Sequence, residues 1–97
     1  MLSKNEIITL LTQSKPELQA RFGVTHLSLF GSYARNTPTS TSDIDILVAF
    51  DGAATSTRYF GVLFSLEDLL GCSVDLVTEK ALRQELRPFI EPELLHV

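Results

Sequence analysis

Apolar positions along the chain move between a helical and a strand period, and the changes divide it into short elements. Ser3 and Glu6 have capping-box spacing ahead of Ile7, Ile8, Leu10 and Leu11, which predicts a first helix of about three turns. Pro16 suits the first turn of a second short helix through Leu18 and Phe22, closed by Gly23. From Val24 to Phe30 the period drops to two. Leu27 and Leu29 oppose His26, Ser28 and Phe30, so this is a strand, ended by Gly31. Tyr33, Ala34 and Arg35 then give a short helical stretch, and Pro38 among Thr37, Thr39, Ser40, Thr41 and Ser42 predicts an irregular loop.

Asp43 to Phe50 alternates: Ile44, Ile46, Val48 and Phe50 point one way, and Asp43, Asp45, Leu47 and Ala49 the other. This predicts a second strand. Asp51 and Gly52 turn the chain into a helix carrying Tyr59, Val62, Leu63, Leu66, Leu69 and Leu70 up to Gly71. Along it Phe60, Leu63, Phe64 and Leu70 read first as core, with any surplus as an interface. Val74–Val77 is a third strand, and Glu79–Arg87 reads as an amphipathic helix through Leu82 and Leu86 before Pro88 and Pro92 allow only short turns. The expected fold is two-layer α/β: a short mixed sheet with helices packed on one side.

Ninety-seven residues allow one domain, residues 1–97, and a chain of this size buries about 60–70% of the surface it exposes unfolded. That leaves no room for a separate substrate domain. With 44% hydrophobic and 21% charged residues the chain is not disordered, and a mean hydropathy of +0.16 makes an exposed apolar face an expectation. Eight basic against twelve acidic residues give a net charge of -4, and no basic run could track a phosphate backbone. Direct contact with nucleic acid is not expected. Cys72 has no second cysteine to pair with, which fits a reducing compartment and makes cytoplasm the expected location. No signal peptide is recognisable around Lys4, Asn5 and Glu6, and no apolar run approaches the roughly 20 residues of a membrane span, so a soluble protein is expected.

The chemistry concentrates in Gly31-Ser32-Tyr33-Ala34-Arg35-Asn36 and, after the polar loop, Ser42-Asp43-Ile44-Asp45. Carboxylates at i and i+2 of a strand share a face, with α-carbons roughly 6.5 Å apart. Asp75 interrupts the apolar third strand and faces the same cluster if that strand lies beside the second. Three such groups repel unless a cation offsets them, and Mg²⁺ takes oxygen ligands shared between carboxylates and substrate phosphates. Gly31 at a strand end lets backbone approach a ligand, and the Ser32 hydroxyl can donate to a phosphate oxygen. Taken singly, Ser32 is a cap, Gly31 a strand end and Asp43 a turn residue. Asp45 and Asp75 resist that reading, because aspartate inside an apolar strand is costly to bury unpaired. His26, Cys72, Tyr33 and Tyr59 read as packing or surface residues.

Gly31-Ser32-x-Ala34-Arg35, Ser42-Asp43-x-Asp45 and the Val74–Val77 strand together resemble the nucleotidyltransferase superfamily that includes DNA polymerase beta. The small size is similar to its minimal members, the MNT antitoxins paired with HEPN-domain toxins. The resemblance implies that Asp43, Asp45 and Asp75 ligate two Mg²⁺ ions, with Asp75 also able to help deprotonate the attacking hydroxyl. It assigns Gly31, Ser32 and Arg35 to the nucleoside triphosphate, with Arg35 either touching phosphate or bracing the short helix. It further implies transfer of AMP from ATP to a tyrosine hydroxyl of a HEPN RNase toxin. Neutralisation of that partner by binding and masking alone is the other reading left open. Asn36 stands where the family usually has glycine, and asparagine tolerates the left-handed backbone such a position needs.

Overall fold

The computed structural model describes residues 2–97. The first helix, α1 (Lys4–Phe22), has the expected cap: the Ser3 hydroxyl accepts from the Glu6 N–H at 3.1 Å, and Glu6 Oε1 accepts from the Ser3 N–H at 3.0 Å. It does not break at Pro16. One 19-residue helix replaces the two expected, because Ile7, Leu11 and Leu18 all bury on one face and Pro16 sits on the solvent side. The shared apolar face outweighs the one hydrogen bond that proline removes. Gly23 closes the helix with φ 74°, its N–H reaching the Gln19 carbonyl at 3.0 Å.

Three longer strands follow: β1 (Val24–Phe30), β2 (Ile44–Phe50) and β3 (Val74–Thr78). A four-residue helix, α2 (Gly31–Ala34), sits directly after β1, and α3 (Ser56–Leu70) joins β2 to β3. The sheet order is β3-β2-β1 with a fourth short strand, β4 (Leu95–His96), beyond β1. β2 and β3 are parallel, which needs a crossover such as α3, while β1 runs antiparallel to β2 and β4. The expected mixed sheet is therefore present. β4 has no counterpart in the sequence reading, since two residues are too few to show an alternation.

α1 and α3 cover one sheet face. Ile7, Leu11, Leu27, Leu29, Ile44, Ile46, Val48, Val62 and Leu66 are fully enclosed there. On α3 the buried positions are Val62, Leu66 and Leu70; Phe60 and Phe64 lie outside, stacked with ring centroids 5.9 Å apart. Gly61 lies close against α1, where a Cβ would run into the Phe22 ring.

The segment after β3 also departs from expectation. Glu79–Arg87 is not a helix: two 3-10 turns (Glu79–Ala81 and Gln84–Leu86) lead into α4 (Arg87–Ile90) and a third turn, Glu91–Glu93. Leu82 leaves helical geometry between the first two turns, at φ -68° and ψ 119°, and fills the second sheet face with Phe30 and Leu47. Leu86, the other half of the supposed stripe, remains exposed. Two apolar positions are too few to hold a helix against that packing.

Candidate active site

The second sheet face carries the acidic residues, as the alternation of β2 predicts. Asp45 lies opposite Phe30 of β1 on one side and opposite Asp75 of β3 on the other. The parallel register, invisible in the sequence, brings the two aspartates side by side. Gly31 follows Phe30 with φ 74° and is buried against Asp45: a Cβ at Gly31 would collide with the Asp45 carboxylate. The strand end thus lets backbone and carboxylate share one small space. Ser32 is half-buried, and its backbone carbonyl accepts from the Thr37 N–H at 2.9 Å, which folds the polar loop back on α2. Its hydroxyl has no hydrogen-bond partner among the described residues. Asn36 adopts φ 59°, the left-handed conformation expected of it.

Asp43 lies one residue short of β2 and is exposed. Thr39 and Ser42 close a turn just before it, the Thr39 N–H donating to the Ser42 hydroxyl at 2.9 Å and the Ser42 N–H to the Thr39 carbonyl at 3.1 Å. A cleft of about 630 Å³ opens there, lined by Tyr33, Ser42, Asp43, Cys72 and Ser73. A second cleft, about 420 Å³, lies against His26, Ser28, Leu82, Arg87 and His96, and none of the three aspartates borders it.

The carboxyl of Asp45 is pushed up to about 6, first by burial, then by the charge of Asp75 and a hydrogen bond shared with it, and then by Asp43; Arg35 pulls the other way. Without a cation, Asp45 thus favours its protonated form more than an ordinary aspartate does. The three aspartates offer carboxylate oxygens, the chemistry of Mg²⁺ rather than zinc. Among the described residues no three Asp, Glu, His or Cys side chains are grouped closely enough to cage an ion. Mg²⁺ needs no such cage, since it keeps waters and binds one or two carboxylates together with substrate phosphates. Asp45 and Asp75 fit that set, with Asp43 near enough for its charge to act on Asp45.

The Arg35 side chain reaches from the end of α2 to the last 3-10 turn. Its Nη1 donates to both Glu93 carboxylate oxygens, at 3.1 and 3.0 Å. Glu93 carries no signal in the sequence, being 58 residues away and brought back only by the pairing of β4 with β1. Of the residues read as structural, Tyr33 is buried in the core, Tyr59 donates its hydroxyl to the Leu76 carbonyl at 2.6 Å, and His26 is exposed. Among the described residues no helix is long and apolar enough to cross a membrane.

Comparison with known proteins identifies the family. Residues 11–95 match the nucleotidyltransferase domain family. The protein adenylyltransferase MntA of Thermococcus cleftensis is 38% identical over 97 residues, covering all of this chain and 98% of that one. A solved structure of a candidate minimal nucleotidyltransferase superposes with a TM-score of 0.75 at 35% identity, over 92% of this chain and 93% of the other. An MNT antitoxin in complex with a tri-AMPylated HEPN toxin of Shewanella oneidensis matches with a TM-score of 0.59 and 25% identity, over 96% of this chain and 66% of that one. The domain match over residues 11–95 and the 38% identity over the full length place the chain in the nucleotidyltransferase domain family, among the relatives of the protein adenylyltransferase MntA.

Proposed function

We propose that this protein transfers AMP from ATP to a tyrosine hydroxyl of a HEPN-type toxin in the cytoplasm, and so neutralises it. The observation that carries the reading is the register that seats Asp45 beside Asp75, against the Gly31 turn. The adenylyltransferase relative supports the transferred group, and the AMPylated toxin bound to an MNT antitoxin supports the kind of acceptor.

In the proposed step the acceptor oxygen bonds to the α-phosphorus of ATP, the bond from that phosphorus to the diphosphate breaks, and Asp75 takes the hydroxyl proton. Two Mg²⁺ ions, held by Asp43, Asp45 and Asp75 with the triphosphate, would offset charge on the attacking and leaving oxygens. The Gly31 backbone gives the phosphates close approach, and the free Ser32 hydroxyl donates to one of their oxygens. Arg35 supplies the fixed positive charge, since no lysine lies in the motif.

Co-expression with the HEPN-type partner, followed by intact mass measurement, tests this. Adenylate on the partner's tyrosine with the native protein, and none with Asp43→Asn and Asp45→Asn combined, is the expected result. An unmodified yet bound and inactive partner in both cases would establish neutralisation by masking instead.

A further inference from the structure

We propose that Glu93 is a positioning residue that aims Arg35 at the nucleotide's phosphates, a role that rests on the nucleotidyltransferase reading above. Both partners are tied to groups flanking the site. Arg35 ends α2, where its backbone N–H donates to the Gly31 carbonyl at 3.1 Å. Glu93 ends the last 3-10 turn, held from behind by Leu94 against the Phe30, Leu47 and Leu82 cluster and by Leu95 paired with Leu29. The carboxylate is thus fixed by the sheet, while the arginine projects from the turn that approaches Asp45.

The hydrogen-bonding pattern gives the direction. Arg35 uses Nη1 alone on Glu93, and among the described residues no side-chain or backbone acceptor takes its Nη2 or Nε hydrogens. One edge of the guanidinium is anchored and another is left for an anion, the arrangement in which arginine binds phosphate with two parallel bonds. The Arg35 side chain is 52% exposed against 25% for Glu93, so the cation is open to a ligand and its brace is the more enclosed partner. Arg35 also stands near enough to Asp45 for its charge to act there, on the side where a triphosphate would meet the carboxylates. A pair this exposed adds little to folding. Its effect belongs to ligand affinity, because an arginine already held loses less freedom when it binds.

The test is titration of the native protein, Arg35→Ala, Glu93→Ala, Glu93→Gln and the Arg35→Ala, Glu93→Ala double variant with Mg²⁺ and a non-hydrolysable ATP analogue. Affinity and melting temperature are read, with KM and kcat for adenylate transfer alongside. Glu93→Ala should weaken nucleotide binding about three- to tenfold, raising KM for ATP more than it lowers kcat. Glu93→Gln, which keeps an acceptor oxygen, should recover part of the loss. The double variant should bind no worse than Arg35→Ala alone, since Glu93 acts only through Arg35. Ligand-free melting temperatures should agree within a few degrees; if Glu93→Ala does not fold, Glu93→Gln carries the comparison. Unchanged binding in Glu93→Ala overturns the proposal, as does an additive loss in the double variant. Tighter binding also overturns it, since Glu93 would then be masking Arg35. If the native protein binds no nucleotide, the nucleotidyltransferase reading falls and takes this one with it; native binding with an indifferent Glu93 removes only the latter.

Discussion

Asp45 is the residue on which the site's ionisation turns. Its folded carboxyl is raised to about 6, chiefly by burial, so the folded state favours the protonated form. The contribution to stability is complete below the ordinary aspartate range and is lost as pH rises through about 6. Thermal unfolding of the metal-free protein between pH 4 and 8 should therefore show a decline through that window, and Asp45→Asn should flatten it. At pH 8 the variant should melt above the native protein, yet transfer no adenylate; a variant with the native pH profile would refute the assignment. Gly31→Ala should act in the opposite sense. It strains a backbone at φ 74°, which costs about 1–2 kcal/mol, and drives a methyl into the Asp45 carboxylate. Calorimetry should show a loss of at least that size, with transfer falling further than in Ser32→Ala, which forfeits one charged hydrogen bond.

At the scale of elements, α1 shows how tertiary burial overrides a local breaker. Pro16 is exposed, and what it removes is the hydrogen bond its N–H would have made to the Thr12 carbonyl. Pro16→Ala should restore that bond and relieve the ring clash, together about 3 kcal/mol, less about 0.4–1 kcal/mol for the freer unfolded chain. A net gain of about 2 kcal/mol should raise the melting temperature by about 4–8 °C per kcal/mol. No gain would mean that α1 bends at Pro16 and that the two-helix reading is nearer the truth. The Glu79–Arg87 segment is the converse case, in which Leu82 serves the second sheet face better outside a helix than within one.

For the whole molecule, an acidic chain that clusters carboxylates on one sheet face should gain stability from the ligands that neutralise them. Mg²⁺ with a non-hydrolysable ATP analogue should raise the melting temperature more than Mg²⁺ alone, because a ligand at 100 times its Kd adds about 2.7 kcal/mol to the folded state. Asp43→Asn with Asp45→Asn should abolish most of that shift. No shift in the native protein at millimolar Mg²⁺ would count against the metal site. The two sheet faces also separate the exposed aromatic residues: Phe60 and Phe64 ride on α3 over the helical face, whereas Phe89 is exposed on α4, in the segment over the acidic one.

What the sequence determined by itself is what short-range periods encode. The cap at Ser3, the three long strands, the placing of Asp45 opposite Ile44 and Ile46, and the left-handed Asn36 each depend on neighbours a few residues away. The motif through Gly31, Ser32, Asp43 and Asp45 was legible for the same reason, and its resemblance pointed to the family. Only tertiary structure decided the rest. The register of two parallel strands sets Asp45 beside Asp75, and it follows from the burial of Ile44, Ile46, Val74 and Leu76 in one core rather than from any local pattern. That same sum of packing keeps α1 whole across Pro16 and unwinds the predicted last helix. It also returns Glu93 to Arg35 through a two-residue strand that no periodicity could show, because contacts between distant residues are fixed only when the whole core closes.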